Sequence, residues 1–227
     1  MSQLARWTLV VVALGALGSC ARKPEKVEQV PELTATRESP SASEAGASAI
    51  GREKESENSV VKLETNKGNI IIKLYDKQAP RHSKNFIKLI KQGFYDGIVW
   101  HRVVPGFVVQ AGDPITKKNP HDPRVGTGGP GYTIPAEIGM KHKRGVVAMA
   151  RRGDEVNPMR ESSGSQFYIC LNTENVAQLD GAYSAFGEVI EGMDVVDRIR
   201  QGDVIKKATV LKEATISKEH DKGKGEQ

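Results

Sequence analysis

The chain reads as a mainly β domain, an antiparallel barrel or sandwich, on three observations. Short runs such as "VVKLET", "IIIKLY" and "FVVQAG" alternate apolar and polar side chains with the period of a strand. Only two segments carry helical periodicity. Many strands with so few helices between them are not the βαβ alternation that builds a parallel sheet.

Taken in order, "VVKLET" (60–65) and "IIIKLY" (70–75) flank "NKGN", which predicts a hairpin with Val61 and Leu63 turned inward. "APRHSKNFIKLIKQG" (79–93) predicts a helix. Pro80 suits a first turn, Phe86, Leu89 and Ile90 share a face, and Gly93 can supply a left-handed cap. Strands are expected near 98–104, 107–112, 145–150, 166–171 and 185–190. A short helix follows at about 193–200 ("MDVVDRIR"), then a last strand near 208–216.

"WHRVVPGFVVQAGD" (100–113) poses a question, because this strand-like run holds an arginine and a glutamine. Val103 falls on one face and Arg102 with Val104 on the other. After the Pro105-Gly106 turn signal, Phe107, Val109 and Ala111 alternate against Val108 and Gln110. Arg102 and Gln110 therefore stand on a surface otherwise made of Val and, at the turn, Phe. That surface is either the solvated side of a half-exposed strand or an apolar groove with a few fixed hydrogen-bonding groups. Other segments share this character. "GVVAMAR" (145–151) alternates toward Ala150, and "SGSQFYIC" (163–170) sets Gln166 and Tyr168 against Phe167 and Ile169. "QLDGAYSAFGEV" (178–189) places Leu179 and Tyr183 in a loop leading into a strand.

Composition organises the 227 residues into one domain with polar extensions. "MSQLARWTLVVVALGALGSC" has one Arg, an apolar run too short to span a bilayer, then small residues, the shape of a secretory signal. Its end, "LGSC" (17–20), resembles a bacterial lipobox, which makes Cys20 the lipidated first residue of the mature chain; the simpler alternative is an ordinary signal with an incidental Cys. Lipidation would place the protein in the cell envelope, anchored to a membrane and facing the extracytoplasmic side. Residues 21–59 are rich in Glu, Lys, Ser, Ala and Pro without aromatics, the composition of a flexible tether. As a coil it would reach roughly 30–40 Å. The domain is expected over 60–217, and "KEHDKGKGEQ" (218–227) reads as a disordered tail.

Several chemistries are disfavoured. The domain carries 23 Lys and Arg against 17 Asp and Glu, but they alternate and only 5% of the chain is aromatic, so nucleic acid is not an expected partner. "GTGGPG" (126–131) lacks the Lys-Ser/Thr and helix of a phosphate loop and reads as a structural turn, or as a loop brought close to a bound backbone. His82, His101, His121, His142 and His220 are scattered without metal-site spacing, so no metal is expected. No spacing supports Asp113 and Glu137 as an acid pair, and Ser165 is not in a Gly-x-Ser-x-Gly elbow. Cys170, in "QFYICL", reads as a small buried hydrophobe.

In this order, "WHRVVPGFVVQAGD", "GTGG", "GVVAMA", "SGSQFYI" and "LDGAYSAFGEVIEGMDVVDRI" resemble a cyclophilin-type peptidyl-prolyl cis-trans isomerase. The resemblance spans nearly all of 60–217. It implies an eight-stranded antiparallel β-barrel closed by two helices, with a hydrophobic groove on its outer surface. It implies Arg102 as the catalytic residue, aimed along that groove, and Gln110 as a donor or acceptor to the substrate backbone. The proline ring would rest on Phe107, with Val108, Tyr168 and Leu179 completing the pocket. Ala150 and the backbone of Arg151 would meet the residue before the proline. Tyr183 stands where many members carry His and others Tyr, and Gln166 belongs to the same groove. Gly126, Thr127 and Gly128 would border a neighbouring subsite. No cofactor is implied, and the expected partners are proline-containing segments of unfolded or partly folded exported proteins, bound by a monomer.

Three departures from the family pattern are visible. Gln178 stands where many eukaryotic members have Trp, which predicts weak cyclosporin affinity. Tyr168 replaces a common Phe and is expected to bring a hydroxyl to the pocket wall. "RRGDEVNPMRESS" (151–163) is longer and more charged than in compact members and reads as a solvated excursion, or else as a contact surface for a client. The competing reading of the whole chain is a membrane-tethered binding module that uses the groove without turnover.

Overall fold

The computed structural model describes residues 58–211. The signal segment with Cys20, all of the 21–59 tether but its last two residues, the end of the expected last strand and the 218–227 tail lie outside the described residues. The strands are β1 (Val60–Thr65), β2 (Gly68–Leu74), β3 (Ile98–Val99), β4 (Arg102–Val104), β5 (Val108–Ala111) and β6 (Thr133–Ile134). They continue as β7 (Val146–Met149), β8 (Ser162–Ser163), β9 (Phe167–Cys170), β10 (Ala185–Glu191) and β11 (Val204–Leu211). The helices are α1 (Pro80–Lys91), the single turn α2 (Thr173–Val176) and α3 (Met193–Arg198), with 3-10 turns at Pro114–Lys117 and Ala177–Leu179.

Nine strands form one antiparallel sheet in the order β3-β11-β1-β2-β10-β7-β9-β5-β4. Its two edge strands, β3 and β4, are consecutive in the chain and separated only by Trp100 and His101. The sheet therefore curls until its ends meet at one segment, which makes it a barrel. This seam explains why 98–104, expected as one strand, is broken. Trp100 N–H donates to Asp203 O (2.8 Å) and Gly202 N–H donates to Trp100 O (3.0 Å), so β3 stays with β11 while β4 turns to β5. Counted as one strand across the seam, 98–104 brings the total to the expected eight.

Other boundaries move for local reasons. The last strand begins at Val204, not near 208. Asp203 accepts the Arg200 N–H (2.7 Å) and the Asn66 side-chain N–H (2.6 Å), and Val204 N–H donates to Asn66 Oδ1 (2.9 Å). The paired backbone starts there although Lys206 and Lys207 interrupt the alternation. The ribbon of β6 and β8 and the turn α2 were not expected; strands of two residues have no period to read.

The barrel interior holds Val61, Leu63, Ile70, Ile72 and Leu74 from the first hairpin, together with Val109, Ala111, Val147, Met149, Phe167 and Ile169. Helix α1, packed near β10 and β11, lowers Phe86, Leu89 and Ile90 into it. The Phe86 ring lies 4.9 Å from Tyr95, 5.3 Å from Phe167 and 5.1 Å from Phe186 between centroids, an aromatic knot within the favourable range. A second apolar cluster occupies the opposite face of the same strands: Val108, Val146, Ala148, Tyr168, Cys170 and Ala185, with Val176 of α2. Phe107 and Ala150 pack against this outer cluster. The alternation alone pairs Phe107 with Val109 on the inner face. A turn closed by Phe107 N–H to Val104 O (3.0 Å) swings the ring outward instead.

Candidate active site

Strand register builds one side of the site. Arg102 pairs with Gln110 across β4 and β5, and Gln110 pairs with Tyr168 across β5 and β9, so three outward side chains stand in a row. Arg102 Nη1 donates to Gln110 Oε1 (3.4 Å), and Gln110 Nε2 donates to Gln166 Oε1 (3.0 Å). Gln166, almost fully buried, donates from Nε2 to the carbonyls of Gly126 (3.0 Å) and Gly128 (2.8 Å). An exposed guanidinium is thus tethered to a fixed chain of amides that ends in the glycine loop.

That loop is held from below by a residue whose role the sequence did not reveal. Buried Asp113 accepts the N–H of Gly126 (2.6 Å) and Gly128 (3.0 Å) through Oδ2, and the N–H of Ile115 (2.8 Å) through Oδ1. Gly112 beside it has φ +100°, and any side chain there would run into the Ser165 carbonyl. This close approach lets β5 and the segment before β9 bring Gln110 and Gln166 together. Glu137 lies elsewhere. It accepts the N–H of Arg81 and His82 at the start of α1 and the His82 ring (Nδ1 to Oε2, 2.6 Å), so it makes no pair with Asp113.

Beyond Gln110 the surface turns apolar. Phe107, Ala150, Leu179 and Tyr183 surround Val108 and Tyr168 as one patch, with the Tyr183 ring edge-on to Tyr168 at 6.0 Å. The Arg151 guanidinium covers Tyr183 at 4.6 Å and donates from Nε to Ala182 O (2.7 Å). The Tyr168 hydroxyl, expected at the pocket wall, is instead engaged beneath it with His142 Nε2 (3.1 Å). Burial pushes the Tyr168 phenol far above its ordinary range and the Cys170 thiol up to about 12, so neither ionises near neutrality.

Comparison with known proteins identifies the family. The family model described as cyclophilin type peptidyl-prolyl cis-trans isomerase/CLD matches residues 60–220. The chain belongs to the cyclophilins. A peptidyl-prolyl cis-trans isomerase of Helicobacter pylori is 42% identical over 147 residues, 63% of this chain and 80% of that protein. A cyclophilin of Cryptosporidium parvum superposes with a TM-score of 0.59 at 28% identity, covering 69% of this chain and 99% of its own. The same protein, solved in the presence of the dipeptide Ala-Pro, gives 0.58 at 27% identity, over 68% and 99%. This cyclophilin is therefore a peptidyl-prolyl cis-trans isomerase.

Two departures from the family pattern acquire a structure. Gln178, in the 3-10 turn, is exposed and donates back to Asn175 O (3.0 Å) of α2. The 151–163 loop has an exposed outer side but is fastened. Asp154 joins Arg151 (2.5 Å) to Arg160 (3.0 Å), and Arg160 donates to Gly181 O (2.9 Å) on the Tyr183 loop. Asn157 and Glu161 close the inner end, and Glu161 accepts from Thr133 Oγ1 (2.6 Å). With the glycine loop it encloses an open cavity of about 710 Å³, lined among others by Gln110, Thr127, Ala150, Arg152, Val156 and Glu161. Every groove residue expected from the sequence lies in the row, the patch or the cavity wall, except Gln178, which bonds back to α2. The side chain of Arg151, expected to contribute only backbone, is the unexpected brace.

Proposed function

We propose that this cyclophilin binds proline-containing segments along the outer groove and rotates their X-Pro bonds, with Arg102 as the group that touches the reacting atoms. The observation that carries this is the row of Arg102, Gln110 and Gln166 beside the apolar patch of Phe107, Val108, Tyr168 and Leu179. Rotation about an X-Pro bond is slow because amide resonance must be broken, a barrier of about 18–20 kcal/mol. In the twisted state the prolyl nitrogen loses conjugation and becomes a hydrogen-bond acceptor. A guanidinium held beside it donates only then, so it favours the transition state over both ground states. Arginine suits the task because it stays charged and its tether to Gln110 limits the directions it samples. The patch anchors the ring while the amide row holds the peptide backbone; the Ala-Pro dipeptide present with the Cryptosporidium relative supports a ligand of this kind.

The substrates proposed are exported proteins that the enzyme helps to fold, reached from a membrane through lipidated Cys20. Support for this comes from the signal-like N-terminus and the "LGSC" ending. Exchange NMR on a short X-Pro peptide tests the catalytic part. The full chain accelerates interconversion, and Arg102→Ala loses about a thousandfold, equivalent to ~4 kcal/mol. Peptide binding without acceleration by the wild type leaves only a tethered binding module. Fractionation tests the anchor: Cys20→Ser leaves the membrane fraction, and a variant still bound there contradicts it.

A further inference from the structure

We propose that His142, held by Asp180, is a positioning residue for the apolar pocket: it fixes the Tyr168 ring and ties the loop carrying Leu179 and Tyr183 to the barrel wall. This inference rests on reading that pocket as the proline subsite.

The His142 side chain is fully buried, and both of its ring nitrogens are partnered. Nδ1 lies 3.0 Å from Asp180 Oδ1, and the His142 backbone N–H donates to the same oxygen (2.6 Å). A carboxylate only accepts, so Nδ1 carries the proton and Nε2 is left bare. The Tyr168 hydroxyl, 3.1 Å away, is then the donor to Nε2. The two rings are nearly parallel, at 17°, with centroids 6.2 Å apart. Asp180 directly follows Leu179 and lies three residues before Tyr183, so one carboxylate restrains the segment that supplies two walls of the pocket. Tyr168 supplies a third, opposite Gln110 in register.

This pairing gives Tyr168 a reason to be tyrosine. Phenylalanine would fill the same space, but Nε2 of a buried imidazole would then have no partner. The groups facing the relay are Asp180 and the flanking Lys141, then Tyr168 and Cys170 from β9, with Arg151 and Tyr183 acting on Tyr168 from the groove side. Burial holds the His142 pKa below its ordinary value against the opposing pull of Asp180. Once the ring is doubly protonated, Nε2–H becomes a donor and the phenol hydrogen loses its acceptor. The relay is therefore intact at neutral pH and reversed in acid.

Histidine 15N NMR of the full chain reads the relay without reference to activity. The expected state at pH 7.5 is a neutral His142 with its proton on Nδ1; a proton on Nε2 overturns the proposal. KM for an X-Pro peptide is then compared for wild type, Tyr168→Phe, His142→Ala and the double variant. His142→Ala raises KM about fivefold with kcat little changed, and by less than about twofold in the Tyr168→Phe background. Equal factors in both backgrounds show that His142 does not act through Tyr168. Because burial lowers the His142 pKa, wild-type KM rises only once pH has fallen below the ordinary imidazole range, and this rise is lost in Tyr168→Phe; identical profiles overturn the proposal even if His142→Ala does not fold. If the tautomer is as expected but Leu179→Ala leaves peptide affinity unchanged, the reading of the pocket fails and the relay stands.

Discussion

The two faces of β5, β7 and β9 are both apolar, yet they end differently. Inward, Val109, Ala111, Val147, Met149, Phe167 and Ile169 meet the Phe86 side of α1 and are sealed. Outward, Val108, Val146, Ala148, Tyr168 and Cys170 are covered by loop residues that are themselves partly exposed: Phe107, Leu179 and Tyr183. An antiparallel sheet ordinarily sets its second face in water with polar side chains. Here that face keeps an apolar patch and adds a short row of amides, Gln110 and Gln166, at its edge. On the proposed function, the inner face supplies stability and the outer face supplies recognition, although their residue types are nearly the same.

The largest effect that separates them is on the inside. Phe167→Ala removes a fully buried ring that touches Phe86, Tyr95 and Trp100, and should cost about 3–5 kcal/mol in denaturant unfolding. A cost under about 1 kcal/mol would erase the contrast between the faces. On the outside, Leu179→Ala should raise KM for an X-Pro peptide about tenfold while stability falls by ~1 kcal/mol or less, because the side chain is only partly buried. Unfolding measured from pH 8 to pH 5 gives the smallest and most diffuse effect. Burial lowers the pKa of His82, His101 and His142 in the fold. The unfolded chain therefore binds protons first, near pH 6.5, and the stability present above that value declines as pH drops through it. A flat profile over this window would show that these rings are not held neutral.

The parity of the strands made much of this legible. Period two separated Arg102 and Gln110 from Val103 and Val109, and Tyr168 from Phe167, and the structure keeps each of those pairs on opposite faces. Period 3.6 found the buried stripe of α1. Parity failed at Phe107 because a turn intervenes, and at 98–104 because the barrel closes there. It is silent about bonds between distant segments. Asp113 reaches Gly126 and Gly128, His142 reaches Tyr168 and Asp180, and Arg160 reaches Gly181, none of them at a spacing that a local pattern encodes. The bracing of the 151–163 loop belongs to the same class, so its charge alone suggested solvent.

On the proposed mechanism, Arg102 acts on the twisted bond and not on the resting peptide. The direct measurement is the cis–trans exchange rate of an X-Pro peptide saturating the full chain, alongside its Kd, for wild type and Arg102→Ala. The on-enzyme exchange rate should be lower by about a thousandfold in the variant, with Kd changed by no more than about threefold. A variant that exchanges its bound peptide as fast as the wild type, or that loses rate only in proportion to affinity, would contradict it.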